Sequence, residues 1–183
     1  RKKYLAYRLG QTNYLAERLR EVGIPIIEPP GAHAVYVNAG ALLSHIPQEQ
    51  FPGQSLSVEL YLEGGIRAVE IGSLGFAHPD PQTGKIVHPK FELLRLALPR
   101  RVYTQSHLDY VAEILGKTAA RRDQIPGYRV IYAPKLMPQF TAQLEPVALN
   151  GHSSQPSLFN QDLEVSKKSV LPSRKSKTKS KLV

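Results

Sequence analysis

The run from Glu92 to Leu98 does most to limit what this chain can fold into. Strict alternation places Glu92, Leu94, Leu96 and Leu98 on one face of an extended strand and Leu93, Arg95 and Ala97 on the other. The leucine face demands a core. Pro99 stops the strand, and Thr104 or Ser106 then opens a helix. The second face carries an arginine at mid-strand, flanked only by Leu93 and Ala97. A guanidinium stays charged, and its planar fork matches a carboxylate. In a half-buried strand it requires an anion, because an unpaired buried charge is costly. Two sources are open: an internal ion pair with Glu70 or Glu92, or a ligand.

The rest of the sequence supplies the layers around that strand. Lys2 to Val22 reads as an amphipathic helix, with Leu5, Leu9, Thr12, Ala16 and Leu19 on one side and Gly23 and Pro25 at its exit. Ile24–Glu28 can form a short strand, and Ala32–Asn38 a stronger one. Leu42 and Leu43 suggest a helical turn. Phe51-Pro52 opens a helix that Gly64-Gly65 ends. Its two partial stripes, Leu56/Leu60/Glu63 and Val58/Leu62, predict burial on more than one side. Ile66–Ile71 is the strand expected beside Glu92–Leu98, with Arg67, Val69 and Ile71 sharing one face. The turn-rich stretch Gly72–Lys90 joins them, as a lid or an intersubunit contact. A helix follows with Leu108, Val111, Ala112, Leu115 and Ala119 as its stripe, Ser106 and Asp109 in capping-box spacing, and Arg121 and Arg122 suited to the dipole at its end. Strands are expected over Tyr128–Tyr132 and Gln139–Leu144. The fold class is α+β: a small, mainly antiparallel sheet with helices on one face.

Five segments, in order, resemble the tryptophanase and tyrosine phenol-lyase family, the β-eliminating lyases that use pyridoxal phosphate. They are Gly65–Ser73, Asp80–Lys85, Glu92–Thr104, Tyr103–Asp109 and Phe140–Ala142. The resemblance runs from about Tyr7 to Leu144. It implies that residues 1–145 are the C-terminal small domain of a fold-type-I pyridoxal-phosphate enzyme, nearer to tryptophanase. The cofactor lysine would then lie in a large domain preceding residue 1, and this chain would hold no catalytic residue and no cofactor-binding residue. The absence of an initiating methionine fits that expectation. So do the lysines, since Lys85 and Lys90 sit in a polar loop and Lys117 on an exposed helix end.

The resemblance also implies site residues. In the family, the arginine matching Arg95 grips the α-carboxylate of the amino-acid substrate. Phenol-lyases carry an arginine at the position of Ile71, to meet the phenolic oxygen, so Ile71 looks like tryptophanase. Gln139 stands where tryptophanases carry histidine and phenol-lyases phenylalanine, and Pro138 where an arginine is usual. Phe140 follows as a further substrate contact. Gly31-Ala32-His33-Ala34 resembles a Gly-Gly-His-Ala motif, which implies for His33 a supporting role behind the substrate contacts. The implied reaction is α,β-elimination of L-tryptophan to indole, pyruvate and ammonia, with pyridoxal phosphate as electron sink. The implied partners are the amino-acid substrate, the large domain and, in full-length form, the other subunits of a homotetramer. The competing classes are an inactive fragment and a stand-alone small binding module that uses a basic tail.

Charge and composition bear on those alternatives. The chain has 183 residues and a net charge of +9, and seven Lys and Arg against two acids fall after Gly151. More than half of the excess charge thus lies in a Ser-, Gln- and Lys-rich segment. Residues 146–183 are expected to be a disordered basic tail, dispensable for folding. Without aromatic residues among its lysines the tail gives no support for base stacking, and no nucleic-acid partner is expected. The chain has no cysteine, which excludes disulfides and thiolate metal sites. His78 and His88 are too far apart and too poorly supported by acids to form a metal site. No apolar run is long enough for a membrane span, so a cytoplasmic protein is expected.

Overall fold

The computed structural model of the chain describes residues 2–134 and 138–148. Helix α1 spans Lys2–Glu21, followed by β1 (Ala34–Asn38), α2 (Ala39–Leu42), α3 (Pro52–Gly64), β2 (Val69–Ile71) and α4 (Ser73–Phe76). A two-residue hairpin, β3 (His78–Pro79) and β4 (Ile86–Val87), precedes β5 (Leu93–Ala97), α5 (Gln105–Ala120), β6 (Tyr128–Tyr132), α6 (Pro138–Thr141) and β7 (Gln143–Pro146).

The leucine-rich strand is the centre of the main sheet. Its order is β1-β5-β2, and both pairings are antiparallel. Leu94 and Leu96 point to the same side as Val35 and Val37, where α1 adds Leu15, Ala16 and Leu19, α3 adds Leu56 and Leu60, and α5 adds Leu108, Ala112 and Leu115. Burying each large aliphatic side chain contributes roughly 1.5–3 kcal/mol, so this face anchors the sheet. The α+β class is therefore the observed one, with helices packed on one face of an antiparallel sheet. β6 and β7 form a separate antiparallel pair with an irregularity between Val130 and Tyr132. Past its last residue Val147 is buried, and its N–H donates to Gly127 O at 2.9 Å. Residues 149–183, which hold most of the expected tail, lie outside the described residues.

Helix ends follow local chemistry. Gly23 and Gly65 adopt left-handed φ values of 74° and 66° just past α1 and α3, a conformation that favours glycine. Pro52 occupies the first turn of α3. At α5 the cap is Thr104, one of the two expected residues, but its capping-box partner is not Asp109. His107 Nδ1, not an acid at position 109, accepts from Thr104 N–H at 3.1 Å. Asp109 instead accepts from Tyr14 O–H at 2.6 Å and Arg18 Nε at 3.2 Å, which ties α5 to α1.

Four other sequence expectations change. Leu5 and Leu9 are exposed, and the buried side of α1 includes Arg8, Thr12 and Leu15. Arg8 is buried because its guanidinium caps the end of β5, donating to Leu98 O at 2.5 Å and Pro99 O at 3.3 Å. On α3 only the Leu56/Leu60 side is buried, and Leu62 is 71% exposed. Arg121 does more than suit a helix end: it pairs with Glu59 at 2.6 Å and Glu63 at 3.2 Å on α3. Finally, the last expected strand begins later, because Pro138–Thr141 forms a helical turn before β7. Among the described residues no helix is long and apolar enough to cross a membrane.

Candidate functional site

Arg95 sits on the middle strand of the sheet, on the face turned away from the leucine core. Its register partners are Tyr36 on β1 and Val69 on β2. One row further along, Leu93 lies between Asn38 and Ile71. Directly opposed residues share a face, so Tyr36, Arg95, Val69, Asn38, Leu93 and Ile71 form one half-buried surface. Ile71 stands diagonally from Arg95, about 7–8 Å away in such ladders.

The internal ion pair is ruled out by the same register. Glu70 is opposed by Leu94 and so points to the other face, and Glu92 alternates with Leu94 on that side as well. Among the described residues Arg95 has neither an ion pair nor a side-chain hydrogen bond. The guanidinium is therefore half-buried, charged and free to receive an anion from outside these residues.

The remaining predicted positions are spread around this surface. Phe140 is exposed and lies across an open cleft of about 710 Å³ from the β2 edge. Val69, Glu70, Arg67, Tyr61 and Leu62 also line the cleft. Val69 thus connects the two regions, since it opposes Arg95 and borders the cleft that Phe140 faces. The exposed Leu62 stripe of α3 is the wall of this cleft, which explains why it is not in the core. The side chain of Gln139 lies outside the described residues. His33 is exposed at the opposite end of β5 from Ile71, and its carbonyl accepts from Leu98 N–H at 2.8 Å. The structure therefore brings Arg95 and Ile71 to one face and Phe140 to its edge, and it leaves His33 apart from Ile71.

On the core side of the same strands lies a polar cluster that sequence reading did not assemble. Glu92 accepts from Ser73 N–H at 3.0 and 3.2 Å, from Ser73 O–H in a very short bond, and from Gln48 Nε2 at 3.3 Å. With its single hydroxyl proton directed at Glu92, Ser73 Oγ accepts from His88 Nδ1–H at 2.8 Å. His88 Nε2 faces Glu49 at 3.6 Å. Glu70 Oε1 accepts from Leu74 N–H at 3.1 Å. Burial, and then the nearby Glu92, push the Glu70 carboxyl up to about 7. One signal for this cluster existed in the sequence, because Glu92 occupies the leucine face of its strand. His78, by contrast, is exposed on the hairpin, far from any shared role with His88.

A family model described as Beta-eliminating lyase matches residues 1–114. The chain belongs to the β-eliminating lyase family. Arg95, Ile71 and His33 fall inside that match, and Gln139 and Phe140 beyond it. Curated relatives of this lyase chain carry two names. The tyrosine phenol-lyase of Pasteurella multocida (strain Pm70) is 48% identical over 145 residues, 79% of this chain and 31% of the relative. The tryptophanase of Salinibacter ruber (strain DSM 13855 / M31) is 51% identical over 146 residues, 79% of this chain and 30% of the relative. The tryptophanase of Haemophilus influenzae (strain 86-028NP) is 48% identical over 147 residues, 80% and 31% respectively. The lyase chain thus spans just under a third of the length of these relatives. Overall identity does not separate the two names, so any distinction must come from individual residues.

The lysines among the described residues stand apart from the clefts. Lys2, Lys3, Lys85, Lys90 and Lys117 are all exposed. None of them lines the 710 Å³ cleft or a second one of about 390 Å³ bordered by Arg67, Ala97, Tyr103 and His107.

Proposed function

We propose that this chain is the substrate-orienting part of a β-eliminating lyase that acts on an aromatic amino acid, with L-tryptophan the favoured substrate. The observation that supports it is the half-buried Arg95 on the outer face of the central strand, unpaired among the described residues. Its two-point fork takes the α-carboxylate and fixes how the rest of the amino acid is presented. Ile71, on the same face, offers the ring an apolar wall and no hydrogen-bond donor, which suits indole better than phenol. Phe140 borders the ring's surroundings from the sheet edge, Gln139 is a further substrate residue by the family resemblance, and His33 supports the site from a distance. The chain's own contribution is binding and orientation, which reduce the entropy cost of reaching the transition state. The cofactor is held by sequence outside this chain, as are the further subunits of the assembly.

Ring preference gives the test. In a chimera, this chain replaces the matching residues of the Haemophilus influenzae tryptophanase. Ile71→Arg is expected to move the ratio of kcat/KM for tyrosine over tryptophan upward by about 10- to 100-fold, the scale of one hydrogen bond to a charged group. Steady-state kinetics on both substrates read the ratio. An unchanged ratio in a folded, active chimera would remove Ile71 from the ring site.

A further inference from the structure

Glu70 is only 3% exposed, and its Oε2 has no hydrogen-bond partner among the described residues. Its neighbour across Gly72 is Glu92, which is 2% exposed. A Cβ added at Gly72 would lie 2.2 Å from Glu92 Oε2 and 2.7 Å from Glu70 Oε1, so the two carboxyl groups crowd one point beside the Gly72 backbone. Their surroundings differ. Glu92 collects donors from Ser73 N–H, Ser73 O–H and Gln48 Nε2. Glu70 receives Leu74 N–H on Oε1, the Gly72 and Gly75 N–H groups also face its carboxyl, and Oε2 has no partner among the described residues.

Other charged groups near the pair are few. His88 and Glu49 stand behind Ser73 on the Glu92 side. Arg67 and Tyr61 border the cleft that Glu70 also lines, and neither bonds to it. From α3, Gly53 approaches closest, where an added Cβ would lie 3.1 Å from Glu70 Cγ. Among the described residues no Lys or Arg pairs with either carboxyl, and two adjacent carboxylates cannot both ionise cheaply.

We propose that Glu70 is held as the neutral acid beside the donor-bound Glu92 carboxyl, and that this pair clasps the turn after Ile71 onto the start of β5. The contacts make the clasp explicit. Glu70 holds Leu74 N–H and Glu92 holds Ser73 N–H, so both acids bind the first turn of α4, while Glu92 itself leads into β5. Ile71 and the strand bearing Arg95 are thereby fixed relative to one another. The clasp is a property of the fold and does not depend on the reaction proposed above.

The sign of the pH effect follows from the site. The folded chain keeps the Glu70 proton up to about 7, whereas the unfolded chain releases it near 4.5. Stability attributable to this group is complete below about 4.5, drains away as pH rises to about 7, and levels off above. Glu70→Gln supplies a permanently neutral isostere. Melting temperatures of the full chain, its Glu70→Gln variant and its Glu92→Gln variant would be measured from pH 5 to pH 8.5. The Tm difference between Glu70→Gln and wild type should grow in favour of the variant between pH 5 and pH 7 and then stay constant. Glu92→Gln should be less stable than wild type throughout, because a neutral amide oxygen accepts from Ser73 and Gln48 more weakly than a carboxylate does. A pH-independent gap for Glu70→Gln would overturn the proposal. Should either variant fail to fold, wild type labelled with carbon-13 at the glutamate carboxyl decides alone. One resonance should titrate near neutrality, and a spectrum in which every glutamate has ionised by pH 6 would contradict the neutral Glu70.

Discussion

Arg95→Lys in the chimeric enzyme should lower kcat/KM by roughly 30- to 1000-fold and leave Tm within a degree or two of the parent, the loss expected when a charge-assisted two-point contact worth about 2–4 kcal/mol disappears from the transition state. Lysine preserves the charge but offers a point instead of a fork, so a carboxylate is still attracted but no longer aligned. The prediction of intact stability comes from the sheet register. Arg95 opposes Tyr36 and Val69, and both nearby glutamates belong to the other face. Nothing among the described residues depends on the guanidinium for its own hydrogen bonds. A structural arginine would behave in the opposite way, with Tm lowered and the surviving folded enzyme near normal activity. Measuring both quantities on one preparation separates the two.

Gly72→Ala should destabilise the chain by about 3 kcal/mol or more, combining overpacking with the loss of buried charged hydrogen bonds. The new methyl would lie 2.2 Å from Glu92 Oε2 and 2.9 Å from its Cδ, far inside any tolerated contact. Either the backbone or the Glu92 carboxylate must move. If the carboxylate moves, Ser73 N–H and O–H and Gln48 Nε2 lose their shared acceptor inside the protein. Urea unfolding of the full chain reads the change as a lower midpoint at unchanged slope. Gly10→Ala is the matched control: its added Cβ meets nothing within 4 Å, and alanine favours the helix. Equal stability of the two variants would show that the turn after Ile71 yields easily, against the tight packing described here.

Much of this architecture could be read from local pattern. Alternation around Arg95 separated the core face from the outer face correctly, because a strand buried on one side has a period of two that a single sequence displays. Gly23 and Gly65 marked helix ends because left-handed backbone favours glycine there. Membership of the family was legible for the same kind of reason, since its motifs are short and contiguous.

What remained hidden depended on residues distant in sequence. Arg8 is buried by carbonyls at Leu98 and Pro99, which no helical wheel reveals. Leu5 and Leu9 fit the periodicity of α1, yet the packed part of that helix begins with Arg8 and Thr12. His107 took the capping position because imidazole Nδ1 can accept a backbone N–H as a carboxylate does, an option the usual capping-box pattern omits. The Glu70–Glu92 pair was half visible. Glu92 on a leucine face signalled a buried acid, but its meeting with Ser73 and His88 needed the fold of the intervening loop.

The central claim is that Arg95 receives a carboxylate, and a thermodynamic cycle addresses it most directly. Dissociation constants for L-tryptophan and for L-tryptophanamide, which lacks the carboxylate, would be measured for the chimera and for its Arg95→Lys variant. The account predicts that the arginine change weakens L-tryptophan far more than the amide, with a coupling of about 1.5–3 kcal/mol between the guanidinium and the carboxylate. Equal weakening of both ligands, a coupling of zero, would contradict it.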